Sequence, residues 1–111
     1  MTSPTVSAVL FDLDGTLIDT APEFIHIGLQ LRAEAGLPPI DAKTIWHSVS
    51  NGAIGMVEAA LDMPADDPAF EQWRQRFLTL YETGLGDLSH PYPGLPELVA
   101  GLHKTGIAWG V

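Results

Sequence analysis

Cysteine is absent from the 111-residue chain. That excludes disulfides, thiolate-bound metal and a cysteine nucleophile. Cationic side chains are scarce, five Lys and Arg against fourteen Asp and Glu, for a formal net charge of −9. Without a basic stripe to meet a phosphate backbone, nucleic acid is excluded as a partner. A small anionic substrate suits such a chain only where a metal and local donors reverse the sign at the site. No apolar run reaches the length of a membrane span. Met1 to Pro4 has no charged leader region, and Val6 to Phe11 is too short for a leader's apolar part. The expectation is a cytoplasmic protein with no membrane partner. With 46% hydrophobic and 17% charged residues, the chain reads as globular, with room for one small domain and a modest core.

What is present starts at the N-terminus. Val6 to Phe11 is an apolar run rich in β-formers and reads as a buried strand. It ends in two carboxylates, Asp12 and Asp14, which period-2 geometry puts on one side of the extended chain. The carboxyl ends of strands are where open α/β sheets hold ligands. Gly15 then allows a sharp turn or a close approach to a bound group. Two acids held together at a strand tip must share a proton, bind a cation, or both. Asp14-Gly15 also suits a hairpin turn carrying incidental acids.

Downstream, hydrophobic spacing and caps predict helices. Thr20 caps the first, with Pro22 and Glu23 in its opening turn and Ile25, Ile27, Leu29, Leu31 and Ala33 on a broad apolar face. Asp41 caps a short second helix to about Val49, Asn51-Gly52 marks a turn, and a third runs from about Ala53 to Leu61. Asp67-Pro68 reads as the cap and first position of a fourth helix, whose Phe70, Trp73, Phe77, Leu80 and Tyr81 form one packed stripe. His90 to Gly94 reads as a stiff extended linker. A fifth helix carries Leu95, Leu98, Val99 and Leu102 on one face, and Ile107 to Val111 reads as a second buried strand. The four histidines have no ligand spacing among them, and Asp66-Asp67 reads as loop and cap.

The stretch Asp12-Leu13-Asp14-Gly15-Thr16 resembles the first motif of the haloacid dehalogenase superfamily, Asp-x-Asp-Gly-Thr after a hydrophobic strand. The order of elements also resembles superfamily members with a helical cap inserted after the first motif. The resemblance implies an α/β fold: a Rossmann-like core, incomplete here with two strands, from residues 1–18 and 91–111. An inserted α-helical cap would span 19–90, with hinges near 16–20 and 88–93. It implies a Mg²⁺-dependent phosphatase with Asp12 as nucleophile and Asp14 as general acid and base. Asp12 and Asp14 would hold the metal, Leu13 and Asp14 N–H groups would cradle the phosphate, and Thr16 would support the loop. Thr16 favours a phosphatase over the related sugar phosphomutases, and Asp14 excludes the transport ATPases.

Ser50, Asn51 and Gly52, within a Ser48–Gly52 loop, are candidates for the cap loop that selects the substrate; an ordinary helix–helix turn is the alternative. Overall the chain resembles phosphoglycolate phosphatase-type proteins. Ser50-Asn51-Gly52-Ala53, Met56-Val57 and Gly106 to Val111 are similar to N-acetylmuramic acid 6-phosphate phosphatases. The implied partner is a small phosphorylated metabolite, 2-phosphoglycolate or N-acetylmuramic acid 6-phosphate. The family's later Ser or Thr, Lys and acidic pair would lie beyond Val111. The expectation is therefore the N-terminal part of a protein of roughly 200 residues or more, inactive alone and prone to self-association through exposed strand edges. A non-catalytic binding protein on the same fold is the other reading.

Overall fold

The computed structural model describes residues 4–84 and 86–111. Its elements follow the chain as β1 (Ala8–Leu10), β2 (Ile18–Asp19), α1 (Ala21–Glu34), α2 (Ala42–Trp46), a 3-10 turn (Val49–Asn51) and α3 (Gly52–Leu61). After them come α4 (Phe70–Thr83), β3 (His90–Pro91), α5 (Leu95–Lys104) and β4 (Ala108–Gly110). The chain is mixed α/β and divides into two compact units. One holds the residues up to Asp19 together with His90–Val111; the other is Thr20–Ser89.

In the first unit β1 and β4 pair in parallel, Ala8 opposite Ala108, Val9 opposite Trp109 and Leu10 opposite Gly110. Phe11 N–H extends the ladder by donating to the Gly110 carbonyl at 2.9 Å, and the Phe11 and Trp109 rings meet edge to face at 6.3 Å. Both strands were expected to be buried, yet Leu10 is 84% exposed and Val111 70%. Each strand has one strand neighbour among the described residues, so apolar composition alone does not bury it. The amphipathic α5 likewise has no fully buried residue. The expected stiff linker carries a feature that its prolines concealed. His90–Pro91 forms a short antiparallel ladder with Ile18–Asp19, joined by Tyr92 N–H donating to the Leu17 carbonyl at 3.2 Å.

The second unit is a helical bundle around Ile27, Leu31, Ile45, Met56, Val57, Leu61, Phe70 and Phe77. Phe77 is 1% exposed and packs edge to face on Phe24, with ring centroids 5.6 Å apart. Burying an aromatic ring of this kind is worth roughly 3–5 kcal/mol against Ala. Most of the expected apolar faces are present, although Ala33 lies exposed. Arg32 is buried with them. It donates to the carbonyls of Pro38 and Ala60, the latter at 3.0 Å, and to Asp62 Oδ2 at 3.2 Å, which satisfies its charge at the point where α1 and α3 end.

Helix starts differ from the sequence reading in instructive ways. Asp41 caps α2 as expected, accepting Lys43 N–H at 2.8 Å, but α2 ends at Trp46 and the 3-10 turn takes over. Thr20 makes no side-chain cap, because its backbone is already in the helical region (φ −94°, ψ −5°) and its side chain is buried. Asp67 closes a turn instead of capping a helix. Its carboxylate takes Ala69 N–H at 2.8 Å, its carbonyl takes Phe70 N–H at 3.0 Å, and α4 begins at Phe70.

Glu23 plays a larger part than the dipole role expected of it. Its side chain is 3% exposed and accepts Leu88 N–H at 3.0 Å, tying the first turn of α1 to the segment after α4. Burial pushes the Glu23 carboxyl up, but backbone N–H groups of the following segment, Leu88 first, hold it below its ordinary value of 4.5. A lowered folded-state pKa stabilises the fold above the unfolded value, and that stability is lost as pH falls through the folded one. Urea titrations between pH 7 and pH 3 should therefore show a stability loss on acidification that is smaller in Glu23→Gln. Equal pH dependence in the two proteins would exclude the clasp as its source.

Candidate active site

The site is built where β1 ends. The backbone leaves the ladder at Phe11 and folds into a tight turn over Leu13 to Ile18. The Leu13 carbonyl accepts N–H groups from Thr16 at 3.3 Å, Leu17 at 3.1 Å and Ile18 at 3.1 Å, and Gly15 N–H donates to the Ile18 carbonyl at 2.9 Å. Asp14 and Ile18 form an isolated bridge across the base of the turn. One carbonyl with several donors gathers the segment into a loop rather than a continued strand. Gly15 sits at its tip with φ +75°, a conformation that β-carbon-bearing residues adopt only under strain. Leu17 is buried beneath the turn, while Asp12, Leu13, Asp14, Gly15 and Thr16 all face outward.

Asp12 and Asp14 thus stand at the carboxyl end of a parallel strand pair, where α/β sheets receive ligands. The strand itself stops at Leu10, so the acids lie in the loop and not on the period-2 ladder assumed from sequence. Asp12 Oδ1 accepts the Leu13 N–H at 3.0 Å, which aims that amide at the space the carboxylate occupies. Thr16 is part of the hydrogen-bonded turn, its N–H bound to Leu13, as befits a supporting residue. Nearby, His90 Nε2 lies 4.0 Å from Asp19 Oδ2 across the β2–β3 ladder.

No group of three or more acidic or histidine side chains able to enclose a metal occurs among the described residues. The donor set at the loop is two aspartates and backbone carbonyls, all hard oxygens. It fits a cation such as Mg²⁺, which is commonly held by one or two carboxylates plus the substrate's phosphate. Positive charge from the protein is scarce, since Arg32, Arg74 and Arg76 are paired with Asp62, Glu71 and Glu34.

The loop proposed to select substrate lies in the helical unit. Ser50 and Asn51 are exposed on the 3-10 turn, and Gly52, at φ +67°, starts α3. Beside them the sequence reading overlooked Trp46, 55% exposed with its ring edge-on to His47 at 5.3 Å, and Ile54, 51% exposed.

Residues 9–111 match the haloacid dehalogenase-like hydrolase family, and the chain belongs to that family. Among curated relatives, N-acetylmuramic acid 6-phosphate phosphatase of Pseudomonas aeruginosa is 50% identical over 106 residues, covering 96% of this chain and 47% of that protein. Phosphoglycolate phosphatase of Agrobacterium fabrum is 38% identical over 119 residues, covering 100% of this chain and 49% of the relative. The chain thus spans about half the length of the curated relatives it matches. A crystal structure described as a predicted phosphoglycolate phosphatase from Haemophilus somnus superposes with a TM-score of 0.77 at 23% identity, over 96% of this chain and 51% of that one. The fold is that of a haloacid dehalogenase core fragment with a helical insertion.

The turn's dependence on Gly15 is open to test. Gly15→Ala should cost about 1–3 kcal/mol of stability, as strain at a positive φ does, measured by denaturant unfolding. An unchanged midpoint would show that the loop relaxes without loss.

Proposed function

We propose that this chain is the nucleophile-bearing part of a phosphomonoester hydrolase. The observation that carries the reading is the complete Asp12–Thr16 loop at the carboxyl end of the β1–β4 pair, in a member of the haloacid dehalogenase-like hydrolase family. In this reading residues 1–18 and 91–111 form part of the catalytic core, and residues 19–90 act as its cap.

An Asp12 carboxylate oxygen attacks phosphorus in line, forming an acyl–phosphate bond as the ester P–O bond breaks. Asp14, protonated at that moment, gives its proton to the departing alkoxide. Its carboxylate then takes a proton from the water that attacks phosphorus, releasing inorganic phosphate and restoring Asp12. The Leu13 and Asp14 amides stabilise phosphoryl oxygens, the former by exchanging its bond to Asp12 for one to the ligand. Thr16 keeps the turn in shape. The Asp12 carboxylate and the Asp14 backbone carbonyl would hold Mg²⁺. When bound, Mg²⁺ supplies the positive charge that offsets repulsion between Asp12 and the phosphate, a requirement sharpened by a net charge of −9.

The substrate is a small phosphorylated metabolite. The names of the relatives point to N-acetylmuramic acid 6-phosphate and 2-phosphoglycolate as the first two to compare. Ser50, Asn51 and Gly52 select among such compounds through hydroxyl and amide groups. Turnover is proposed for a protein of the relatives' length, of which this chain spans about half. Taken alone, the 111-residue piece would associate with itself through its exposed strand edges.

Phosphate release from the full-length protein with each compound in Mg²⁺ tests the proposal. Release should fall to background in Asp12→Asn and on addition of a chelator. Retained turnover in Asp12→Asn would remove Asp12 as the nucleophile.

A further inference from the structure

Gly55 lies inside α3, where glycine costs about 1 kcal/mol relative to Ala. Its backbone is ordinary for a helix, so left-handed geometry does not explain it. The reason is the 3-10 turn. A β-carbon built at Gly55 would stand 2.3 Å from Asn51 Cβ, 3.4 Å from Asn51 Cγ and 3.3 Å from the Ser48 carbonyl oxygen. The first contact is impossible for real atoms. Asn51 Cβ is bonded directly to the main chain, so a rotamer change cannot relieve the clash. Asn51 N–H donates to that same Ser48 carbonyl at 3.0 Å, closing the turn that rests on Gly55.

We infer that Gly55 is a positioning residue for substrate selection, because only a bare α-carbon there lets the Ser50–Asn51–Gly52 loop fold down against α3. The inference rests on the reading of that loop as the substrate-selecting one. Ser50 and Asn51 are exposed at its crest, with Ile54 exposed on the adjoining turn. A methyl group at position 55 pushes Asn51 outward and takes the loop's donors with it. Displacements of about 1 Å in groups that orient a substrate cost up to roughly a hundredfold in rate.

The experiment uses Gly55→Ala, Asn51→Gly and the double variant in the full-length protein. Two readouts apply: hydrogen exchange at the Asn51 amide, and kcat and KM for N-acetylmuramic acid 6-phosphate and 2-phosphoglycolate. Gly55→Ala should speed Asn51 exchange and shift the ratio of kcat/KM between the substrates by roughly tenfold or more, mainly through KM. Asn51→Gly removes the β-carbon that the new methyl would meet. Adding Gly55→Ala to it should then cause no further change in the ratio, even where Gly55→Ala alone folds poorly.

Unchanged Asn51 exchange in Gly55→Ala would overturn the inference by showing that the turn tolerates the methyl. Faster exchange with an unchanged substrate ratio would overturn it differently, since the loop would then not select substrate. Ser50→Ala and Asn51→Ala separate the two failures. If they alter the ratio while Gly55→Ala does not, the loop reading stands and the role of Gly55 falls.

Discussion

Parallel pairing of Ala8–Leu10 with Ala108–Gly110 is the constraint on which the rest of this chain depends. Parallel strands cannot be joined by a hairpin; they require a crossover that returns the chain to the starting end of the sheet. Here that crossover contains α5 directly before β4 and the whole Thr20–Ser89 helical unit before that. The same pairing leaves the chain after Leu10 at the carboxyl end of the strands. The Leu13 carbonyl then gathers three N–H groups and holds Asp12 and Asp14 in an outward-facing loop. Fold and candidate chemistry thus share one origin.

The helical unit carries its own organisation. Its interior is apolar and aromatic, but two buried ionisable side chains finish it. Arg32 joins the ends of α1 and α3 through carbonyls and Asp62, and Glu23 joins the start of α1 to Leu88. Arg32 is buried with partners for its guanidinium, the condition under which a buried charge is tolerated. Glu23, in contrast, is bound through Oε1, and its Oε2 is buried without a hydrogen-bond partner among the described residues. Glu23 also holds together the sequence-distant ends of the insertion.

Much of this was legible in the residues. The Asp12–Thr16 motif, the apolar stripes of α1 and α4 and the turn at Asn51-Gly52 all express local rules, and local rules can be read from a single chain. What escaped was long-range. His90–Pro91 looked like a linker because prolines suppress strand signals, yet its partner Ile18–Asp19 lies far away in sequence. Glu23 read only as a first-turn acid facing the helix dipole because its Leu88 donor is equally distant. Trp46 and Gly55 were passed over because their meaning depends on what surrounds them: one is left uncovered, the other is pressed by Asn51. Strand burial was overestimated for a related reason. Apolar composition at Leu10 and Trp109 says that a strand is suited to burial, while exposure depends on its neighbours.

The central claim is that Asp12 accepts a phosphoryl group. Its most direct test is an acid quench of the full-length protein during turnover, followed by mass spectrometry of the peptide containing Asp12 to Thr16. The expected result is a phosphoryl adduct on Asp12 that is absent in Asp12→Asn. A protein that releases phosphate from its substrate while Asp12 is never modified would contradict it.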